Sequence, residues 1–285
     1  MIMVKSSKNF RLISVIGSIL KWFFLIFLFV YALFPLIWLT ISSLKTNAEF
    51  MASPFSLPET WQWGNYVKAL TVSGIARMMF NSVVISVAAT LLNVLITSMS
   101  AYAVSRFEFK GNNLLQMMFS AGVLVPLNAL MVPYFILITR LKLDNTMLGL
   151  ILVYTAIGIP ISTFITTGFM RSIPRELEES AVIDGANFYV RFKSVILPLS
   201  RTGIVTAGTF QFLTCWNEFV YANLLTSSPE VRTVQLGIRY FTNQFSTDYV
   251  SMYAAIVISI VPSIIAYMLF QNQIISGLTS GAVKG

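Results

Sequence analysis

The sequence predicts an all-α protein, a polytopic membrane helix bundle of about six transmembrane helices with a single charged cytoplasmic loop. Three observations predict it. The 285 residues are 56% hydrophobic and only 11% charged, where soluble domains carry about a quarter charged residues. The charges are gathered in blocks, as the cost of placing an ion in hydrocarbon requires. Between the blocks lie six charge-free windows, at 22–44, 78–105, 111–139, 145–170, 202–217 and 249–283.

A helix crosses the hydrocarbon core with about 20 apolar residues. Five windows meet that length directly, and the window at 202–217 reaches it only by continuing through Glu218 to Leu225. The first window follows Lys5, Lys8, Arg11 and Lys21. It is too long for a signal-peptide core and no small-residue cleavage site closes it, so it reads as a retained span. Pro35, Pro126, Pro133, Pro160 and Pro262 lie inside windows and predict kinked, packed helices. With the N-terminus inside, twelve of the 19 Lys and Arg residues fall on the cytoplasmic side, which assigns both termini to the cytoplasmic side of a cell membrane. The chain then forms one membrane domain over 1–285, with outside stretches at 45–77 and 227–248 and the longest inside loop at 171–201.

Several function classes are excluded. The net charge of +8 comes from residues flanking apolar segments, not from a basic run interleaved with aromatics, so nucleic acid is not a partner. Histidine is absent and Cys215 is the single cysteine, which removes an internal disulfide, the commonest zinc ligands and the usual acid/base group. No Gly-x-x-x-x-Gly-Lys-Ser/Thr run occurs, so the chain itself has no such nucleotide cradle. No catalytic residues, metal site or cofactor of its own are expected.

The loop at 171–201 holds five basic and four acidic residues. Pro174 suits a first helical turn, Glu176, Glu178 and Glu179 complement the positive end of a helix dipole, and Gly185 can take the left-handed terminating conformation. A helix over about 174–184 follows. The mixed aromatic and basic segment 188–196 predicts a second helix, stopped by Pro198. An amphipathic hairpin on the membrane surface and a docking element for a cytoplasmic partner both fit this pattern.

Polar residues within the spans are the other candidates. Gln211, Thr214, Glu218 and Tyr221 recur at a spacing that puts them along one face of the fifth span, with Asn217 at its edge. Amides, hydroxyls and aromatics of this kind suit a sugar. Asn128 on the third span is a further candidate. Glu218, reckoned from Arg201, lies about 25 Å along its helix and near the outer surface. It is either a pathway carboxylate or one bonded to helix ends.

The hairpin also carries a resemblance. Glu179-Ser180-Ala181, Asp184-Gly185-Ala186 and Val195-Ile196-Leu197-Pro198 resemble the EAA loop of ABC importer permeases, with Ser180 standing for alanine and Val195 for isoleucine. The lead-in Arg171 to Glu179, Trp216-Asn217-Glu218-Phe219, the outer-loop residues Leu44-Lys45, Pro54 and Asn65-Tyr66, and the tail Gly277 to Gly285 resemble the carbohydrate branch, the permeases of binding-protein-dependent importers similar to the maltose-type G subunit. The resemblance implies that Glu179, Ser180, Ala181, Asp184, Gly185, Leu197 and Pro198 form the ATPase-coupling element. It implies as partners a second, non-identical permease, two ATPase subunits that bind the ATP and Mg, an extracytoplasmic sugar-binding protein and a carbohydrate substrate. A non-sugar solute such as glycerol phosphate, or a self-sufficient secondary transporter or channel, is the alternative. The latter calls for inverted repeats and matched broken helices, which are not apparent in the sequence.

Overall fold

The structure, a computed structural model, describes residues 6–71, 74–241 and 247–282, with side chains described for 15–71, 74–239, 241 and 247–273. The described residues form helices and turns in the order α1 Ser6–Ser42, α2 Asn47–Ala52, α3 Gly64–Thr71, α4 Ile75–Arg106, α5 Asn112–Leu124, α6 Met131–Arg140, α7 Met147–Ser172 and α8 Glu176–Ile183. There follow α9 Phe188–Val190, α10 Leu197–Leu199, α11 Arg201–Asn217, α12 Val220–Leu225, α13 Val234–Gly237 and α14 Tyr249–Ala282. Among the described residues, four helices are single elements long and apolar enough to cross a membrane, at Val15–Ser42, Ile75–Arg106, Met147–Ser172 and Tyr249–Gln273.

The third and fifth predicted spans are broken, a sharper interruption than the kinks the sequence predicts. In the third, Asn112–Leu124 and Leu127–Arg140 meet at 104°. Pro126 has no N–H to donate and forces Val125 into extended backbone, at φ −71° and ψ 120°, so the helix ends at the residue before it. Leu127–Leu130 then forms a short 3₁₀ turn leading into α6. In the fifth, Glu218 is extended at φ −70° and ψ 128°, between α11 and α12. Broken helices are therefore present although the sequence did not display them.

Where the sequence reads as one domain, contacts group into two compact units, 1–69 with 241–258 and 70–240 with 259–285. In the first, the described side chains of α1 are largely exposed up to Ile37, and the chain after it folds on its own polar groups. Lys45 is fully buried and its ammonium donates to the Ser53 carbonyl at 2.8 Å and to Ser56 Oγ at 3.2 Å. Asn65 donates to the carbonyls of Ser43 and Lys45, both at 2.8 Å. Trp38 packs among Phe50, Phe55 and Tyr253 and donates its indole N–H to the Pro54 carbonyl at 3.0 Å. Lys45, Pro54 and Asn65, which carry the family resemblance, thus take part in the hydrogen bonds of this unit.

Asp248 closes the same unit at the head of α14. It pairs with Lys68, accepts from Asn47 Nδ2 at 2.9 Å and accepts from the Ser251 N–H at 3.2 Å. Burial raises its pKa, but these partners outweigh that and hold the carboxyl at about 2, against an ordinary 3.8. A carboxylate depressed in the folded state stabilises it above the ordinary pKa, and that contribution disappears as pH falls through the folded value. Asp248→Asn is expected to lower stability at pH 7 by about 1 kcal/mol at most after solvent screening, seen as a slightly lower melting temperature. The difference from wild type should shrink between pH 4 and pH 2, and a pH-independent difference would contradict the assignment.

In the second unit α4, α7 and α11 pack together and α5 lies on α7. Small and hydroxylated residues face one another, as membrane helices require for close approach. Gly158 gives space to the Gln211 side chain, which a Cβ would strike, and Gly203 does the same for Phe169. Buried polar groups are tied across the helices: Asn93 Nδ2 donates to the Thr155 carbonyl at 3.0 Å, and Trp216 Nε1 donates to the Ser259 carbonyl at 3.0 Å. The tail residues 283–285 and the stretch 242–246 of the outer segment lie outside the described residues, as do the side chains of 277–282.

Candidate functional site

The loop after α7 forms the hairpin that its sequence predicts, with two differences. The first helix starts at Glu176, not Pro174, because the opening turn is carried by the Arg175 carbonyl, which accepts from the N–H groups of Glu178 and Glu179 at 2.9 and 3.0 Å. It ends as expected. Gly185 is left-handed at φ +84°, with its N–H on the Val182 carbonyl at 3.0 Å and the Ala186 N–H on the Ala181 carbonyl at 2.8 Å. Asn187 then caps the next helix through its side chain, accepting from the Val190 N–H at 3.0 Å.

The second difference is that Pro198 does not stop that helix. The chain continues from Phe188 to Leu199 with a π-helical stretch at Arg191–Ile196. The Leu197 N–H reaches back five residues to the Phe192 carbonyl. This wider turn relieves the clash between a proline ring and the carbonyl four residues before it.

The hairpin presents two faces. Glu179, Ser180, Asp184 and Gly185 are exposed and Ala181 half-buried, and beside them Ile183 is 86% exposed with Val182 and Leu177 also open. Of the second part of the motif, Leu197 is half-buried and Pro198 exposed. Glu178, one residue before Glu179, points the other way. Its carboxylate accepts from Tyr102 Oη at 3.0 Å and lies 2.7 Å from Arg106 Nε, with the Glu178 and Arg106 side chains only 9% and 5% exposed. The Nε–Oε1 contact is an ion pair without hydrogen-bond alignment. Arg106 also donates to the Ile173 carbonyl at 2.8 Å. Tyr102 stacks on Phe192 at 5.1 Å and meets Phe188 and Phe107 at 5.2 and 5.3 Å between centroids.

The polar residues predicted along the fifth span separate into two groups. Gln211, Glu218 and Tyr221 turn inward. Gln211 is 2% exposed and donates to the Tyr154 carbonyl at 2.8 Å. Glu218 accepts from Tyr154 Oη at 2.7 Å and from the N–H groups of Tyr221 and Ala222 at 2.8 and 3.0 Å. Glu218 is thus bonded to the start of α12. Tyr221 Oη donates to the Leu127 carbonyl at 2.6 Å, tying α12 to the break in the third span. Thr214, Asn217 and Asn128 are exposed, and Thr214 and Asn217 bond back to the carbonyls of Phe210 and Leu213. Gln211 and Thr214 thus differ in exposure within α11 itself, and the break at Glu218 separates both from Tyr221 on α12.

Sequence reasoning missed Tyr102, Arg106 and Tyr154, and it treated Glu178 only as a dipole partner. The available signal was Arg106, a charge in the last turn of a long apolar helix, which calls for a counterion. Among the described residues no cluster of three or more metal-binding side chains occurs.

An apolar helix bundle with broken spans and a charged, glycine-turned hairpin defines a multi-pass membrane transport component. The chain belongs to the family of binding-protein-dependent transport system inner membrane components, whose pattern it matches over residues 93–278. It is 35% identical to a trehalose/maltose transport system permease of Thermococcus litoralis, across 96% of this chain and 97% of that protein. It is also 35% identical to a diacetylchitobiose uptake system permease of Streptomyces coelicolor, across 88% and 83%. In fold it is similar to a chain of a bacterial ABC transporter that imports the acidic polysaccharide alginate, with a TM-score of 0.80, 21% identity and coverage of 95% and 99%.

Proposed function

We propose that this chain is one permease subunit of an ATP-driven carbohydrate importer. It forms half of the translocation pathway with a second, non-identical permease. Two ATPase subunits, which bind ATP and Mg, drive it, and an extracytoplasmic sugar-binding protein delivers the substrate. Both termini then lie in the cytoplasm. The observation that carries this reading is the exposed face of the hairpin, where Glu179, Ser180, Ala181, Asp184 and Gly185 lie beside the open side chain of Ile183. A small-residue surface with two carboxylates and a large apolar residue suits insertion into a partner's cleft. The carbohydrate assignment is supported by relatives whose names specify trehalose, maltose and diacetylchitobiose. Co-purification of the ATPase subunits with this chain tests it, and their absence from an otherwise intact permease pair would overturn it.

The exposure of Asn128, Thr214 and Asn217 supports a role for these three in contacting sugar hydroxyls, with Gln211, Glu218 and Tyr221 holding the wall behind them. Asn128→Ala and Asn217→Ala are expected to raise the KM for sugar uptake by about 2- to 10-fold each, the worth of one hydrogen bond. Gln211→Ala is expected to lower thermal stability with less effect on KM. Unchanged KM in both asparagine variants would remove them from the pathway.

A further inference from the structure

The coupling reading concerns the outer face of the hairpin; its inner face carries a separate inference, which rests on that reading. We infer that the buried Arg106–Glu178 pair, with Tyr102, is the joint through which movement of the hairpin reaches the transmembrane helix α4. Glu178 is the only carboxylate of α8 that is buried, and both of its partners lie on the last two turns of α4. The same tyrosine packs on Phe188 and Phe192 of the hairpin's second helix. Both arms of the hairpin therefore converge on one side chain, and Arg106 adds a bond to the Ile173 carbonyl where the hairpin leaves α7.

A buried ion pair is a costly way to gain stability, because desolvation offsets its attraction, and apolar packing would serve as well. What it supplies is a fixed register: the pair tolerates little sliding between α8 and α4, since separation leaves two uncompensated charges. A push on the exposed face is thus transmitted to α4 instead of being absorbed at the hairpin's base. Glu178, Arg106 and Tyr102 are positioning residues and touch neither substrate nor nucleotide.

The test uses the assembled transporter in lipid vesicles with its binding protein, and reads sugar transported per ATP hydrolysed alongside the amount of bound ATPase subunit. Glu178→Gln and Arg106→Gln are expected to retain the ATPase subunits at wild-type stoichiometry and to lower the transport-to-hydrolysis ratio by about tenfold, the scale of a broken charged contact. The exchange Arg106→Glu with Glu178→Arg is expected to restore at least half of the ratio. A wild-type ratio in Glu178→Gln, or an exchange that restores nothing, would overturn the joint. If the charge variants do not accumulate in the membrane, Tyr102→Phe, which removes one hydroxyl and keeps the ring, decides in the same way. Failure of the coupling reading itself looks different: Glu179→Lys would then transport and hydrolyse as wild type.

Discussion

Glu179→Lys and Gly185→Asp are each expected to lower binding-protein-stimulated ATP hydrolysis and sugar uptake at least about tenfold while the chain itself folds and inserts normally. The separation of effects follows from the geometry. Glu179 is exposed and among the described residues its side chain supports the opening turn of no other element, so charge reversal there costs this chain little. At Gly185 a Cβ would meet nothing within 4 Å. The left-handed backbone disfavours most residues by about 1–2 kcal/mol, but aspartate tolerates it. The isolated subunit should therefore melt within a few degrees of wild type. In a docked complex the same two changes set a reversed charge and an extra carboxylate against a surface that accepts a small-residue turn. Reconstituted vesicles give the uptake and hydrolysis rates, and detergent melting curves give the stability. Wild-type coupling in both variants would refute docking through this face, and a large fall in melting temperature would mean that the turn serves the fold instead.

The inner and outer faces of one short helix thus differ sharply in burial. Glu178 and Glu179 are neighbours in sequence, yet successive residues on a helix lie about 100° apart, so one enters the core and the other remains open. Nothing in the string of acidic residues at 176–179 says which is which. That depends on where Tyr102 and Arg106 stand, more than seventy residues earlier. The hairpin, its glycine turn and its place between the fourth and fifth spans were legible because helix dipoles, caps and left-handed turns act locally. The joint beneath it was not, because it is a tertiary contact.

The same distinction explains the broken spans. Pro126 and Glu218 were both visible as irregularities, but a proline in a membrane helix can kink it or end it. The outcome depends on which groups take over the freed backbone. Here the Leu127 carbonyl accepts from Tyr221 Oη, and the N–H groups at the start of α12 donate to the Glu218 carboxylate. The two breaks support each other, with Tyr134 and Tyr221 in edge contact at 5.6 Å between centroids. Hydropathy counts apolar residues along one window at a time and so registers neither exchange. It located the spans of α1, α4, α7 and α14 well, where helices are continuous and only length and composition matter.

Replacement of Glu218 by alanine is the change expected to damage the membrane core most. The carboxylate satisfies two backbone N–H groups at 2.8 and 3.0 Å and the Tyr154 hydroxyl at 2.7 Å. Alanine leaves all three donors without that partner. Hydrogen bonds to a charged group contribute about 1.5–3 kcal/mol each in soluble proteins, while interhelical bonds in a membrane average nearer 0.6. Three bonds sum to a loss of about 2 kcal/mol at the membrane figure and about 5–9 kcal/mol at the soluble one, which bracket the expected effect. Glu218→Gln keeps a carbonyl oxygen for one end of α12 and should retain about half of that. Tyr154→Phe removes only the hydroxyl and should cost least. Melting of the purified subunit in lipid nanodiscs orders the three. The sequence Ala, then Gln, then Phe in decreasing loss is the expected result. Equal losses in Glu218→Ala and Glu218→Gln would show that the negative charge itself, and not the capping of α12, is what the break requires. That charge would then have to act on something outside these bonds, and the pathway role of Glu218 would return.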